Sequence, residues 1–118
     1  MAELGIREPM LVKDVMSSPT ITIPEDQSAD KVAVLMGRHD IGAVIVTTED
    51  ERPIGMITER DIVTRIVARD VQPSKVTARE VMTTPLITVD PDETLNEAAR
   101  RMNRLNIRRL GVMYKGKL

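Results

Sequence analysis

The chain repeats itself. Shifted by 66 residues, Asp14-Val15-Met16-Ser17-Ser18-Pro19 falls on Glu80-Val81-Met82-Thr83-Thr84-Pro85, and Ile21-Thr22-Ile23 falls on Ile87-Thr88-Val89. Asp26, Ala33, Met36, Arg38, Ile41 and Val46 meet identical residues at the same offset, so that 11 of the 34 positions from 14 to 47 match without a gap. Duplication at this spacing restricts the fold to two copies of one supersecondary unit, which together bury surface that neither buries alone. With 118 residues and 13.2 kDa there is room for two very small repeats and one shared core.

Each copy reads the same way. A short helical turn opens it, Val12 to Met16 and Thr77 to Met82, the second with the Thr77-x-x-Glu80 spacing of a capping box. Pro19 and Pro85 stop these turns and release extended segments rich in β-formers, Thr20 to Ile23 and Leu86 to Val89. Acidic, proline-containing turns lead into amphipathic helices. Ala29, Val32, Ala33 and Met36 fall at i, i+3, i+4 and i+7, as do Leu95, Ala98, Ala99 and Met102, and Thr94-x-x-Glu97 has the capping-box spacing again. Apolar strands follow at Ala43 to Val46 and Leu110 to Met113. Copy one continues through a third strand, Pro53 to Ile57, and a helix from Thr58 to about Ala68 with the stripe Ile62, Val63, Ile66, Val67. The counterpart of that last strand and helix is missing from copy two. The expected organisation is an N-terminal segment 1–11, a first repeat 12–70, a linker 71–76 and a second, incomplete repeat 77–118.

Composition narrows the function. The 17 basic and 18 acidic side chains give a net charge of −1, against a broadly basic nucleic-acid binder. Cysteine is absent, which removes disulfides, thiolate metal sites and cysteine nucleophiles. One histidine, His39, allows no multi-histidine zinc site, and the polar run Arg38-His39-Asp40 reads as a solvated helix end. Tyr114 is the sole aromatic, so base-stacking platforms are not expected. No apolar run approaches the length of a membrane span, and no secretory signal is visible, so a cytoplasmic protein is expected. No nucleophile–base pair is evident, and the expectation is a protein that is not an enzyme.

The duplicated order strand, helix, strand, strand, helix resembles the tandem cystathionine-β-synthase (CBS) domain pair, or Bateman module, of the small stand-alone prokaryotic type. The resemblance rests on the paired Val-Met-x-x-Pro segments, on Pro91-Asp92-Glu93-Thr94-Leu95, on Ile107-Arg108-Arg109-Leu110-Gly111-Val112, and on Gly55-Met56-Ile57-Thr58-Glu59-Arg60-Asp61-Ile62. It implies an α/β (α+β) fold in which two β-α-β-β-α repeats pack with pseudo-twofold symmetry. It also implies clefts that hold adenine nucleotides, and dimers made mostly through helices. The function so implied is an energy-sensing regulatory module for AMP, or for ADP or ATP. Competing readings are a sensor of S-adenosylmethionine and a ligand-free homodimerisation module that docks an effector protein.

Thr58-x-x-Asp61 stands where a strand enters a helix, whose first N–H groups attract anions. The resemblance gives Asp61 both ribose hydroxyls and Thr58 the ribose or phosphate. The same spacing is also that of a capping box. Met56, Ile57 and Ile41 are candidates for an adenine slot. By resemblance, the segment around Thr83, Thr84, Pro85, Leu86 and Ile87 would read the adenine edge with its free backbone groups, while Arg108, Arg109 and Arg60 would meet phosphates. Met56, Ile57 and Ile41 are equally consistent with core strand, and the arginines with a solvated face. In copy one Gly42 and Ala43 stand where copy two has Arg108 and Arg109, so one competent site per chain is expected, built on Thr58 and Asp61. No metal site and no required cofactor are expected.

Overall fold

The computed structural model describes residues 10–14, 16, 20–105, 107 and 109–113. They form two compact units, Pro19–Leu86 and Met1–Ser18 with Ile87–Leu118.

In the unit Pro19–Leu86, three strands make one sheet in the order β1 (Thr22–Pro24), β2 (Ala43–Thr47), β3 (Pro53–Thr58). β1 runs parallel to β2, with Thr22 opposite Ile45 and Ile23 opposite Val46, and β2 runs antiparallel to β3. Parallel neighbours need a crossover, which α1 (Ala29–His39) supplies. β1 starts and ends two residues and one residue later than the sequence suggests. It includes Pro24, which is tolerated because β1 is an edge strand. Asp40, in the left-handed region at φ 53°, ends α1 by donating its N–H to Met36 O.

α1 turns Ala29 and Val32 fully inward. Leu35 and Met36 complete its packed face, while Ala33, expected in the stripe, is exposed. The β2 side chains Val44 and Val46 and the β3 side chain Ile57 are likewise enclosed. Burying such a side chain contributes about 1.5–3 kcal/mol, so this layer dominates the unit's stability. The helix expected from Thr58 to Ala68 is α2 (Glu59–Ile62) continued by one π turn, Val63–Val67, in which Ala68 N–H reaches back to Val63 O at 2.8 Å. Ile66 is buried and Ile62 half-buried, whereas Val63 and Val67 are 56% and 67% exposed. The linker includes a 3₁₀ turn at Pro73–Lys75, and α3 (Ala78–Val81) follows, capped by Thr77.

The other unit reproduces this plan at the same offset. β4 (Thr88–Val89) pairs parallel with β5 (Gly111–Val112), Thr88 opposite Gly111, each 66 residues after Thr22 opposite Ile45. α4 (Leu95–Leu105) is α1 displaced by the same amount. The core residues Val12, Val89 and Ala98, with Leu110 and Val112 against them, correspond one for one to Ala78, Ile23, Val32, Val44 and Val46. The Thr94–Glu97 box forms by half. Thr94 Oγ1 accepts Glu97 N–H at 3.2 Å, while the Glu97 carboxylate pairs with Arg100. Tyr114 to Leu118 lie outside the described residues.

The compact units do not follow the repeat boundaries read from the sequence. The opening turn of each copy packs in the unit of the other. Leu11 bridges Thr94, and Thr77 bridges Ser28. Leu95 N–H donates to Met10 O at 2.8 Å, and Ala29 N–H donates to Val76 O at 2.9 Å. Ala78 and Val81, from the start of copy two, therefore lie in the core of the unit Pro19–Leu86. The physical cause is local. The first N–H groups of α1 and α4 need acceptors, and the extended residues before each opening turn provide them.

Candidate functional site

β3 sets the site. Its alternation sends Ile57 into the core, fully enclosed, and leaves Met56 on the opposite face. Ile57 thus supports the site from behind, and the adenine-lining role expected of it finds no exposed surface. Met56 exchanges both backbone hydrogen bonds with Thr83, donating at 3.0 Å and accepting at 2.8 Å. This pairing brings the segment 82–86 against the outer edge of the sheet. Thr84 Oγ1 adds a bond to Ile54 O at 3.0 Å.

Gly55 permits the approach. A Cβ there would lie 2.7 Å from Met82 Sδ and 2.8 Å from Thr83 O, closer than any side chain tolerates. The glycine is required by this close crossing of two backbone segments.

At the end of β3, Thr58 caps α2. Thr58 Oγ1 accepts Asp61 N–H at 3.4 Å, and Asp61 Oδ2 accepts Thr58 N–H at 2.9 Å and its hydroxyl at 3.2 Å. Both halves of a capping box are present. Asp61 does more than cap. Its Oδ1 accepts the Thr83 hydroxyl at 2.9 Å, and Arg65 Nε stands 3.6 Å from the same oxygen. Arg65 also donates from Nη1 to Met82 O at 2.9 Å. The Asp61 side chain is only 8% exposed, so three hydrogen-bond donors and the Arg65 cation converge on a carboxylate largely withdrawn from water.

The sequence reading expected first-turn amides of this helix to be unsatisfied. Two of them are bonded within the unit: Glu59 N–H donates to Gly42 O at 3.1 Å and Asp61 N–H donates to Thr58 Oγ1. The simple anion pocket expected there is therefore largely filled by the chain. A carboxylate presenting both oxygens to a ribose is not the arrangement found, because Oδ2 is committed to the helix start.

The candidates divide as follows. Thr58, Asp61, Met56 and Thr84 come together along one edge of the unit Pro19–Leu86, with Pro85 and Leu86 continuing that segment. The Thr84–Pro85 peptide is cis; Pro85 is exposed and Leu86 half-buried. Ile41 follows the α1 cap, half-buried, with its N–H on Met36 O at 3.1 Å. Arg60 is exposed on the first turn of α2. Ile87 and Arg109 belong to the other unit, where Ile87 O accepts Gly111 N–H at 2.9 Å and Arg109 is exposed. Arg108, and Ser17 to Pro19 of copy one, lie outside the described residues.

Sequence reading gave Arg65 no role, and placed Thr83 in the adenine-edge segment without its side-chain contact to Asp61. The i,i+4 spacing of Asp61 and Arg65 was the available signal for the first, and the aligned position of Thr83 over Ser17 for the second. Among the described residues no cluster of His, Asp or Glu is placed to hold a metal ion, and no helix is long and apolar enough to cross a membrane.

Comparison with known proteins places the chain in a family. The CBS domain family model matches twice, at residues 12–68 and 78–118, and the chain belongs to the CBS domain family as a tandem pair. An uncharacterized protein of Methanopyrus kandleri, MK0525, is 39% identical over 102 residues, covering 86% of this chain and 52% of that protein. The chain thus spans about half the length of that relative. Among solved structures, the CBS domain protein PAE2072 of Pyrobaculum aerophilum, complexed with AMP, is 28% identical at a TM-score of 0.83, covering 92% of this chain and 83% of that one. The CBS domain pair of protein MJ0100, in complex with 5′-methylthioadenosine and S-adenosyl-L-methionine, is 30% identical at a TM-score of 0.80, covering 93% of this chain and 85% of that one.

Proposed function

We propose that this chain is a regulatory, non-catalytic module that binds an adenosine-containing ligand, with AMP the first choice and ADP or ATP next. The observation that carries the reading is what two of its solved relatives hold. AMP, S-adenosylmethionine and methylthioadenosine differ at the 5′ position and share the adenosine half. The residues in place here suit that half. Asp61 is an acceptor for a ribose hydroxyl, and the segment from Thr84 to Leu86 offers backbone groups beside it. Arg60, exposed on the first turn of α2 in the same unit, is the proposed phosphate partner, which would favour AMP over an uncharged adenosine compound.

AMP has about 23 non-hydrogen atoms, and at ~0.3 kcal/mol per atom gains about 7 kcal/mol, a Kd near 10 μM. That range suits a ligand whose concentration is being read rather than a cofactor permanently held. Thermal denaturation with AMP, ATP or S-adenosylmethionine tests the proposal, since a ligand present at a hundredfold its Kd stabilises by about 2.7 kcal/mol. An unmoved Tm with all three, in the wild-type chain and in Thr83→Val alike, would refute it.

The homodimer reading has its own support and is compatible with ligand binding. Val63 and Val67 are exposed, and Val67 lines a cavity of about 240 Å³ together with Ala29, Ala33, Ile62, Ile66 and Val71. We propose this helical face as the contact between copies. Light scattering after size-exclusion chromatography should give twice the chain mass, falling to one chain in Val67→Glu.

A further inference from the structure

Asp61 offers two unequal oxygens. Oδ2 is tied to its own helix start through Thr58 N–H at 2.9 Å and the Thr58 hydroxyl at 3.2 Å. Oδ1 accepts instead from a residue 22 positions away, the Thr83 hydroxyl at 2.9 Å. We propose that the Thr83 hydroxyl stands in for a ribose hydroxyl on Asp61 Oδ1. Thr83 then sets the affinity of the site by competing with its ligand. This rests on the reading of Asp61 as the ribose acceptor.

Three observations support it. The bond is of the kind a sugar would make, an sp³ hydroxyl donating to a carboxylate oxygen, and such charge-assisted bonds are stronger than neutral ones. The Thr83 main chain is held without that hydroxyl, by the paired bonds to Met56 at 3.0 and 2.8 Å. Its neighbours are held too, through Thr84 Oγ1 on Ile54 O and Arg65 on Met82 O. A change of χ1 between staggered wells therefore frees Oδ1 while the segment stays in place. Finally, Oδ2 cannot be offered in exchange without opening the capping box, so the carboxylate has one edge for a ligand and Thr83 occupies it.

A ligand must displace Thr83, and the measured affinity is lowered by the fraction of time the hydroxyl is on Asp61. Thr83 is thus a specificity-setting residue. A compound with a weaker donor at the ribose position, or none, does not displace it.

Isothermal titration of the full chain with AMP, ATP and S-adenosylmethionine tests the idea, using wild type, Thr83→Val, Thr83→Ala, Thr83→Ser and Asp61→Asn. Removing the hydroxyl in Thr83→Val should tighten binding about 5- to 30-fold, the equivalent of one to two kcal/mol. Thr83→Ala should do the same, which covers the case in which valine disturbs the fold. Thr83→Ser should stay within about twofold of wild type, since a hydrogen bond is kept. Asp61→Asn should weaken binding. Wild-type binding that neither Thr83→Val nor Thr83→Ala tightens overturns this inference alone, as does tightening by Thr83→Ser equal to that by Thr83→Val. Absence of binding in wild type and in both hydroxyl-free variants overturns the ligand reading and this inference together. Binding that appears only in the hydroxyl-free variants supports both.

Discussion

Two capping boxes in the unit Pro19–Leu86 share one grammar and sit in different surroundings, which makes Asp61→Ala a sharp test of what surroundings add. Thr77 and Glu80 form the reference box. Glu80 Oε1 accepts Thr77 N–H at 2.8 Å and its hydroxyl at 3.1 Å on an exposed surface. Asp61 makes the same two bonds to Thr58 and then accepts Thr83, with Arg65 beside it, while only 8% exposed. Loss of a cap costs about 1 kcal/mol. Loss of a buried, charged acceptor adds about 1–3 kcal/mol, because its donors must find other partners. Asp61→Ala should therefore cost about 2–4 kcal/mol in all. At about 3–6 °C per kcal/mol for a chain of this size, Tm should fall by roughly 6–24 °C. Glu80→Ala should cost clearly less, since water replaces the exposed acceptor. Urea denaturation of both variants, read at unchanged m, provides the comparison. Equal losses, or a neutral Asp61→Ala, would show that the contacts to Thr83 and Arg65 add nothing to the cap.

Gly55→Ala should destabilise by about 1–3 kcal/mol, since its Cβ would fall 2.8 Å from Thr83 O. Faster amide exchange at Met56 and Thr83 would locate the damage, and unchanged exchange there would refute the close-crossing argument. The Glu80 carboxyl is held below its ordinary value first by the Thr77 N–H, then by the Thr77 hydroxyl, with Arg79 a smaller influence. Because its folded pKa is the lower one, its contribution is complete above the unfolded pKa and is lost as pH falls through the folded pKa. Acid titration of stability should be shallower in Glu80→Gln below the ordinary glutamate range, and identical slopes would contradict the assignment.

Much of this molecule is legible in its sequence because the repeat carries its own registration. The offset that aligns Val15 with Val81 also aligns α1 with α4 and the pair Thr22–Ile45 with Thr88–Gly111. Helix periodicity identified Ala29 and Val32 correctly but included Ala33, because a stripe at i+4 does not say which flank faces the sheet. The site was legible by position and less so by state. Thr58-x-x-Asp61 is locatable at a strand-to-helix junction, yet nothing local shows that its second carboxylate oxygen is taken by a hydroxyl 22 residues away. The π turn that carries Arg65 leaves no mark in composition, since one extra residue in a helical turn changes neither periodicity nor polarity enough to be read. The exchange of opening turns was equally hidden, because each turn's sequence is compatible with packing on either copy.

That exchange makes the unit Pro19–Leu86 an insertion nested inside the other unit, whose two pieces lie before and after it in the chain. The outer piece must close a long loop to join its halves, a cost that grows only slowly with length yet falls when the insert is already compact. Folding is thus expected to run from the inside outward. A protease cut between the repeats would release no self-sufficient half, because each fragment would carry away the other's opening turn.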